Sequence, residues 1–77
     1  MDIQQLKNFL ILCNTLNYRK AAEQINIVQP ALSRQIQLLE KEIDVLLFSR
    51  NKRTVALTKA GIFFQKEATR ILQDLDK

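Results

Sequence analysis

The sequence predicts a small, mainly helical domain with one two-stranded hairpin. The 77 residues suffice for a single domain. One glycine and one proline leave few points at which helices would be interrupted. Apolar residues recur at helical spacing along most of the chain, whereas a stretch after Asp44 is short, apolar and β-branched. We therefore expect helices to dominate, with the hairpin joining two of them.

The composition argues against several classes of protein. Apolar residues make up 47% of the chain, which is too many for a disordered tail. No apolar run approaches the roughly 18 residues that a membrane span needs, and the first residues lack a signal-peptide pattern. We therefore expect a cytoplasmic protein with no membrane partner. Because a core of this size is only marginally stable, dimerisation would stabilise it.

The sequence offers little for catalysis or metal binding. It has one cysteine, Cys13, and no histidine, so a disulfide within the chain is excluded and a zinc site lacks ligands. The usual general base at neutral pH is also missing. Cys13 lies among Phe9, Leu12 and other apolar residues, which predicts a buried small hydrophobe. We expect no catalytic residue, no metal and no cofactor in this chain.

The first two predicted helices are short and capped by polar side chains. The first is expected over about residues 3–15 with Asp2 as its N-cap. The second is expected over about residues 18–25 with Asn17 as its N-cap. Two alanines on its inner face let another helix approach closely. That inner face consists of Tyr18, Ala21, Ala22 and Ile25.

The third predicted helix starts near Gln29 and has two different faces. Pro30 suits its first turn, where a missing N–H costs nothing. One face carries an apolar stripe formed by Leu32, Ile36, Leu39 and Ile43. The opposite face is polar, with a single charge, and consists of Gln29, Ser33, Arg34 and Gln37.

A hairpin and a last helix complete the prediction. The segments Val45–Ser49 and Thr54–Thr58 are read as strands flanking a basic tip, which gives a wing at about residues 45–58. Thr58 is expected to cap a helix from Lys59 to Lys77. This helix is apolar up to its last turn, so we expect the natural chain to continue. Its coiled-coil-like seam, the predicted dimerisation surface, consists of Phe64, Ala68, Ile71 and Leu75.

The second and third helices, with a turn of about three residues between them, form a helix-turn-helix pattern at residues 18–37. Such a motif holds its second helix by one face while the other enters the DNA major groove. Gln29 can pair with adenine and Arg34 with guanine. Ser33 can contact a base or a phosphate, and Pro30 and Ala31 can meet a thymine methyl group. The alternative is that this polar face is only solvated.

The charge distribution favours a polyanionic partner. The net charge is +4, but the two stretches without any acid, 24–39 and 45–66, are more informative. We expect phosphates to lie against these stretches, and a wing arginine can enter a narrow minor groove. For the hairpin tip alone, a solvated charged loop is the alternative. The predicted wing and backbone contacts are Arg19, Lys20, Arg50, Lys52 and Arg53.

Several motifs together resemble the LysR-type transcription regulators. They are Asn-Tyr-Arg-Lys-Ala-Ala at 17–22, Gln-Pro-Ala-Leu-Ser-Arg-Gln-Ile at 29–36, Leu-Glu at 39–40, Leu-Phe-Ser-Arg at 47–50 and Leu-Thr-Lys-Ala-Gly at 57–61. They cover nearly the whole chain in the family's order and spacing, and the second is highly specific. The resemblance implies a winged helix-turn-helix domain at 1–58, then from 59 to 77 the start of a dimerising linker helix.

The resemblance also implies partners and contacts. Family members contact DNA through the positions of Gln29, Pro30, Ser33 and Arg34, and through the wing position of Arg53. Two subunits of family members pair through the linker helix, and full-length members often form tetramers. For this chain we expect a homodimer that binds an imperfect palindrome. A small-molecule effector binds a C-terminal domain that is absent from this chain. The expected place of action is the bacterial cytoplasm, at the nucleoid.

Three positions depart from the family pattern. Asp44 stands where the family commonly has a glycine that ends the third helix in a left-handed turn. Asp tolerates this conformation less well than Gly or Asn does. Val28 stands where a small or hydroxyl residue is common, so a side-chain cap is expected to be missing. Arg19 replaces a more usual hydroxyl residue and adds a cation. These departures affect affinity rather than family.

Three other functions remain as alternatives. A helical interaction or dimerisation module would explain the seam in the last helix but does not need acid-free stretches. An enzyme would need a histidine, a phosphate-binding glycine loop or paired carboxylates, which the sequence lacks. A winged-helix protein of another family would not need the motif at 29–36.

Overall fold

The computed structural model of the chain describes residues 1–50 and 54–75. Within these residues the elements follow the predicted order of three helices, a hairpin and a last helix. The two strands are antiparallel, and Ser49 lies opposite Ala56. The elements are α1 (Ile3–Thr15), α2 (Tyr18–Ile25), α3 (Gln29–Ile43), β1 (Phe48–Arg50), β2 (Val55–Leu57) and α4 (Lys59–Leu75).

Side-chain caps explain where the helices begin. The Asp2 carboxylate accepts a hydrogen bond from the backbone N–H of Gln5 at 2.7 Å. The Asn17 side chain accepts from the N–H of Lys20 at 2.9 Å. The Thr58 hydroxyl accepts from the N–H of Gly61 at 2.9 Å. Each bond satisfies a donor that the first helical turn would otherwise leave free. The predicted N-caps are therefore confirmed.

The first strand begins later than the sequence suggests. Val45 and Leu46 are 43% and 59% exposed and lie outside β1. Their backbone groups bond elsewhere: the Val45 N–H donates to the carbonyl of Glu40 at 3.2 Å, and the Leu46 carbonyl accepts from the Thr58 hydroxyl at 2.6 Å. These bonds form the connection between α3 and the hairpin. The expected strand at 45–49 is thus shifted towards the hairpin tip.

Phe9 of α1 lies at the centre of the core and is fully buried. Its ring packs edge-on against Phe48 of β1 and Phe64 of α4, with centroid distances of 5.6 and 5.2 Å. Ala21 and Ala22 are also buried, as predicted, so α2 packs closely on α1. One core therefore joins the helix-turn-helix motif, the hairpin and the first part of α4.

Cys13 belongs to this core, as the sequence predicted. Its side chain is 7% exposed. Burial raises the pKa of the Cys13 thiol to about 12, although a backbone hydrogen bond partly opposes this shift. The thiol therefore stays protonated and unreactive at neutral pH.

None of the helices in residues 1–50 and 54–75 combines the length and apolar character that crossing a bilayer requires.

Three helices end at residues in the left-handed conformation, and none of these residues is glycine. They are Leu16 at φ 50°, Asn26 at φ 68° and Asp44 at φ 61°. Asn adopts this conformation readily, but Leu does so at a cost of about 1–2 kcal/mol. The left-handed turn expected at Asp44 is therefore present without the glycine that would favour it.

The single glycine, Gly61, lies inside α4 instead. A Cβ atom at this position would lie 2.1 Å from the carbonyl oxygen of Leu47 and 2.9 Å from a methyl group of Leu57. The same Leu47 carbonyl accepts a hydrogen bond from the N–H of Thr58 at 3.0 Å. Gly61 thus allows α4 to approach the base of the hairpin more closely than any other residue would.

Candidate nucleic-acid interface

The inner face of α3 is held firmly by the core. Leu32, Ile36 and Leu39 are all fully buried, and Ile43 packs partly buried at the edge of the same cluster. Burying each of these side chains contributes roughly 1.5–3 kcal/mol. The predicted apolar stripe is confirmed, and it determines which side of α3 faces outward.

The outer face of α3 is open. Gln29, Pro30 and Arg34 are exposed, and Ala31 and Ser33 are half-buried. Gln37, one turn further along, is also exposed. No neighbouring element within the described residues encloses this row of side chains, so its polar atoms are accessible to a macromolecular partner.

The start of α3 lacks a side-chain cap, as predicted from Val28. The Val28 side chain is 70% exposed and makes no capping hydrogen bond. Its carbonyl accepts from the N–H groups of Ala31 and Leu32 at 3.1 and 3.3 Å. Pro30 occupies the first turn and brings no N–H of its own. The first turn of α3 is therefore stabilised by the backbone alone.

A surface groove of about 480 Å³ separates the start of α3 from the end of β2 that is nearer the hairpin tip. Residues from three elements line it, because α2 and α3 begin on the same side of the molecule as β2. Arg19 stands at its edge, exposed, and pairs with the carboxylate of Glu23 at 3.3 Å. Lys20 next to it is also exposed. The lining residues are Leu16, Asn17, Tyr18, Arg19, Gln29, Thr54 and Val55.

The predicted wing contacts are described only in part. Arg50 ends β1, where its backbone pairs with Val55. Lys52 and Arg53 lie outside the described residues. The start of β2 is nevertheless placed beside the start of α3, since Thr54 and Val55 share the groove with Gln29.

The far end of α3 is tied to the hairpin by a buried carboxylate. Glu40 is 5% exposed, and its Oε2 atom accepts from the backbone N–H groups of Leu47 and Phe48 at 2.7 and 3.2 Å. Such charge-assisted bonds are stronger than neutral ones. This role of Glu40 was not predicted from the sequence, although the Leu-Glu motif at 39–40 contributes to the family resemblance.

A second polar connection joins α1 to the middle of α3. Asn8 is only 2% exposed, and its side-chain N–H donates to the side-chain oxygen of Gln35 at 2.7 Å. Gln5 donates to the backbone carbonyl of Gln35 at 3.0 Å. Sequence reasoning missed both contacts. The available signal was the helical spacing of Gln5, Asn8 and Leu12, which places Asn8 on a buried side of α1.

The predicted dimerisation seam divides into two parts. Phe64 packs on Phe9, and Ala68 is fully buried, so both contribute to this chain's own core. Ile71 and Leu75 are 39% and 57% exposed. Spacing alone could not distinguish these parts, because the first turns of α4 cover the domain and the later turns extend past it.

Residues 3–62 match the family described as "Bacterial regulatory helix-turn-helix protein, lysR family". The chain is 49% identical over 72 residues to the probable cat1 operon transcriptional activator of Acinetobacter lwoffii, covering 94% of this chain and 24% of that protein. It is 44% identical over 73 residues to the regulator CatR of Pseudomonas putida, covering 95% of this chain and 25% of that protein. The chain thus spans about a quarter of the length of these relatives.

Solved structures agree with this match. The DNA-binding domain of BenM in complex with catB site 1 DNA superimposes with a TM-score of 0.93 at 38% identity, covering 99% of this chain and 82% of that one. The DNA-binding domain of CbnR in complex with DNA gives a TM-score of 0.93 at 37% identity, covering 99% and 87%. The fold is therefore a winged helix.

Proposed function

We propose, from the premise that this chain belongs to the LysR family of bacterial regulatory helix-turn-helix proteins, that it binds double-stranded DNA sequence-specifically. One observation carries the proposal. The inner face of α3 is fully buried at Leu32, Ile36 and Leu39, while Gln29 and Arg34 project from its open face. A helix held in this way can insert its outer face into the major groove.

Base recognition is assigned to the first two turns of α3. Arg34 can donate two hydrogen bonds to the O6 and N7 atoms of guanine, and Gln29 can pair with adenine. Ser33 contacts a base or a phosphate, and Pro30 and Ala31 contact thymine methyl groups. The open first turn supports this assignment, because no side chain among residues 1–50 and 54–75 caps it.

Phosphate contacts are assigned to α2 and the wing. Arg19 and Lys20 are exposed near the groove between α3 and the hairpin. Arg50, Lys52 and Arg53 add three positive charges to the sequence of the predicted wing. These residues set the position of the domain on DNA, whereas the base contacts set its sequence preference. Arg53 also suits a narrow minor groove.

The protein is proposed to act as a homodimer on an imperfect palindrome. Ile71 and Leu75 form the exposed later part of the seam in α4, and Phe63, 66% exposed, adds apolar area. Phe64 and Ala68 support this helix from within the domain. The proposed division is residues 1–58 for DNA binding and 59–77 for the start of the linker helix, with α4 contributing its first turns to the domain core.

The complete regulator is proposed to carry an effector-binding domain beyond this chain. The relatives are about four times as long as the aligned region, since 24% and 25% of their lengths are covered. A small molecule would bind that further domain, and the full-length protein would form dimers or tetramers. Its place of action would be the cytoplasm, at the nucleoid. This chain needs no cofactor to contact DNA.

The experiment is selection of bound sequences from a random duplex pool, followed by binding titrations. We expect one enriched half-site, repeated in inverted orientation at a spacing of about one helical turn. Affinity for the enriched duplex is expected to fall linearly with salt on a log–log plot, because phosphate contacts release counterions.

Two results would contradict the proposal. If the chain binds DNA in a salt-dependent way but no sequence is enriched from the pool, its function is non-specific DNA binding. Absence of binding at low salt would instead favour a protein-interaction module built on α4.

A further inference from the structure

A buried polar relay joins α1 to α3 at the residue that follows Arg34. The Nδ2 atom of Asn8 donates to Oε1 of Gln35 at 2.7 Å, and the Oδ1 atom of Asn8 accepts from Nε2 of Gln4 at 3.1 Å. Gln5 adds a second link at 3.0 Å to the backbone carbonyl of Gln35. Helix α1 therefore holds both the side chain and the main chain of Gln35.

Packing alone does not explain a polar residue at position 8, because this position of α1 is buried. The Asn8 side chain is 2% exposed on a helix whose other buried residues include Leu6, Phe9 and Leu12. A leucine at this position would add buried apolar area. An amide adds less stability but imposes direction, since its hydrogen bonds require defined distances and angles. Buried polar groups of this kind can fix the register of two packed helices.

Direction matters here because base reading is sensitive to the rotation of α3. A side chain ending about 6 Å from the helix axis moves by about 1 Å when the helix turns by about 10°. A shift of that size breaks the paired hydrogen bonds by which an arginine selects guanine. The buried contacts of Leu32 and Ile36 fix which side of α3 faces inward. The hydrogen bonds to Gln35 add a directional restraint on the small rotations that remain.

We propose that Asn8 is a positioning residue for base discrimination. Through Gln35 it fixes the rotation of α3, and so the direction in which Arg34 leaves the helix. The inference rests on the proposed function, and Asn8 itself does not touch DNA.

The test compares Asn8→Leu with the unsubstituted chain. The readout is the ratio of dissociation constants for two duplexes: the selected one, and one changed at the base pair where Arg34→Ala loses its preference. We expect Asn8→Leu to lower this ratio about five- to tenfold, by misaligning bonds that discriminate between bases. Affinity for an unrelated duplex is expected to stay within about twofold, because phosphate contacts are unchanged. The melting temperature is expected to fall by no more than about 5 °C, because the half-buried Gln35 side chain can bond to water once Asn8 is lost.

Asn14→Leu is the matched control, because Asn14 is an exposed residue of the same helix. It is expected to leave the ratio unchanged. The double variant Asn8→Leu with Gln35→Met removes both partners of the bond between the two helices. The Gln4 amide also loses its bond to Asn8, but Gln4 is exposed and can bond to water. A purely structural role predicts that this double variant regains the ratio together with stability. A positioning role predicts that discrimination stays low in a stable domain.

The outcomes separate this inference from the function on which it rests. An unsubstituted chain without any sequence preference contradicts the proposed function. If the unsubstituted chain has a sequence preference and the folded Asn8→Leu variant keeps it in full, only the positioning role of Asn8 is overturned. Where Asn8→Leu does not fold, Gln35→Met removes the same bond from the other helix, and an unchanged ratio in that variant overturns the inference equally.

Discussion

The two ends of α3 are built in opposite ways. At its start, Val28 supplies no side-chain cap, and Gln29 and Arg34 are exposed. At its far end, Glu40 is buried and bonded to two N–H groups of the hairpin, and Asp44 closes the helix in a left-handed turn. The far end of α3 is therefore built for stability, whereas its start leaves polar side chains free for the proposed binding. Substitutions at the far end are expected to change folding, and substitutions near the start to change DNA binding.

The largest expected effect is at Glu40. Glu40→Ala removes a buried carboxylate and leaves the N–H groups of Leu47 and Phe48 without that acceptor, so we expect a loss of about 2–4 kcal/mol in the free energy of unfolding. Chemical denaturation followed by circular dichroism measures it. Glu42→Ala is the control, since Glu42 is exposed and pairs only at the surface with the Met1 ammonium. Equal free energies of unfolding for the two variants would contradict the stabilising role of Glu40 at the far end of α3.

The next effect is expected at Arg34. Arg34→Ala is expected to weaken binding to the selected duplex by roughly 1–3 kcal/mol and to relax base preference at one position, with unfolding unchanged within about 0.5 kcal/mol. Titrations against an array of single-base variants measure both. Lys52→Ala removes the same charge from the wing and is expected to weaken all sequences about equally. An unchanged preference profile in Arg34→Ala would contradict its role in base reading.

A smaller effect is expected from supplying the missing cap. Val28→Ser places a hydroxyl where it can accept from a first-turn N–H of α3, so we expect the free energy of unfolding to rise by about 0.5–1 kcal/mol. Thermal or chemical unfolding checks this. Val28→Ala is the control, because it removes the exposed side chain without adding an acceptor. If Val28→Ser and Val28→Ala have the same free energy of unfolding, the missing cap does not lower the stability of the domain.

The smallest effect is expected at Asp44. Asp44→Gly relieves the cost of a left-handed residue, but glycine also gains freedom in the unfolded chain, so the net gain is about 0.5 kcal/mol. Asp44→Ala keeps the unfavourable conformation and is expected to show no gain. Unfolding midpoints compare the two variants. A gain in Asp44→Ala equal to that in Asp44→Gly would show that the backbone conformation is not the cause.

Sequence reasoning succeeded where neighbouring residues determine the structure. The helix starts at Asp2, Asn17 and Thr58 were predictable because each cap bonds to an N–H three residues away. The inward stripe of α3 was predictable from its spacing. The open polar face followed from that stripe, and so did the placement of Gln29 and Arg34.

It failed where a partner lies far away in the chain. Asn8 bonds to Gln35 across 27 positions, and nothing local marks that pairing. A glutamate in a helix is usually solvated, so Glu40 gave no sign of burial. Phe64 fits a coiled-coil seam as well as it fits the domain core, because both need the same spacing. Only the packing of Phe64 on Phe9 distinguishes the two.

The contact at Gly61 has a mechanical consequence. Because the Leu47 carbonyl lies directly against Gly61, α4 and the base of the hairpin pack backbone to backbone, and we expect them to move as one unit. If two copies pair through the outer turns of α4, any change in the angle between their helices swings each hairpin along with it. The distance between the two hairpins would then change with the angle between the two α4 helices.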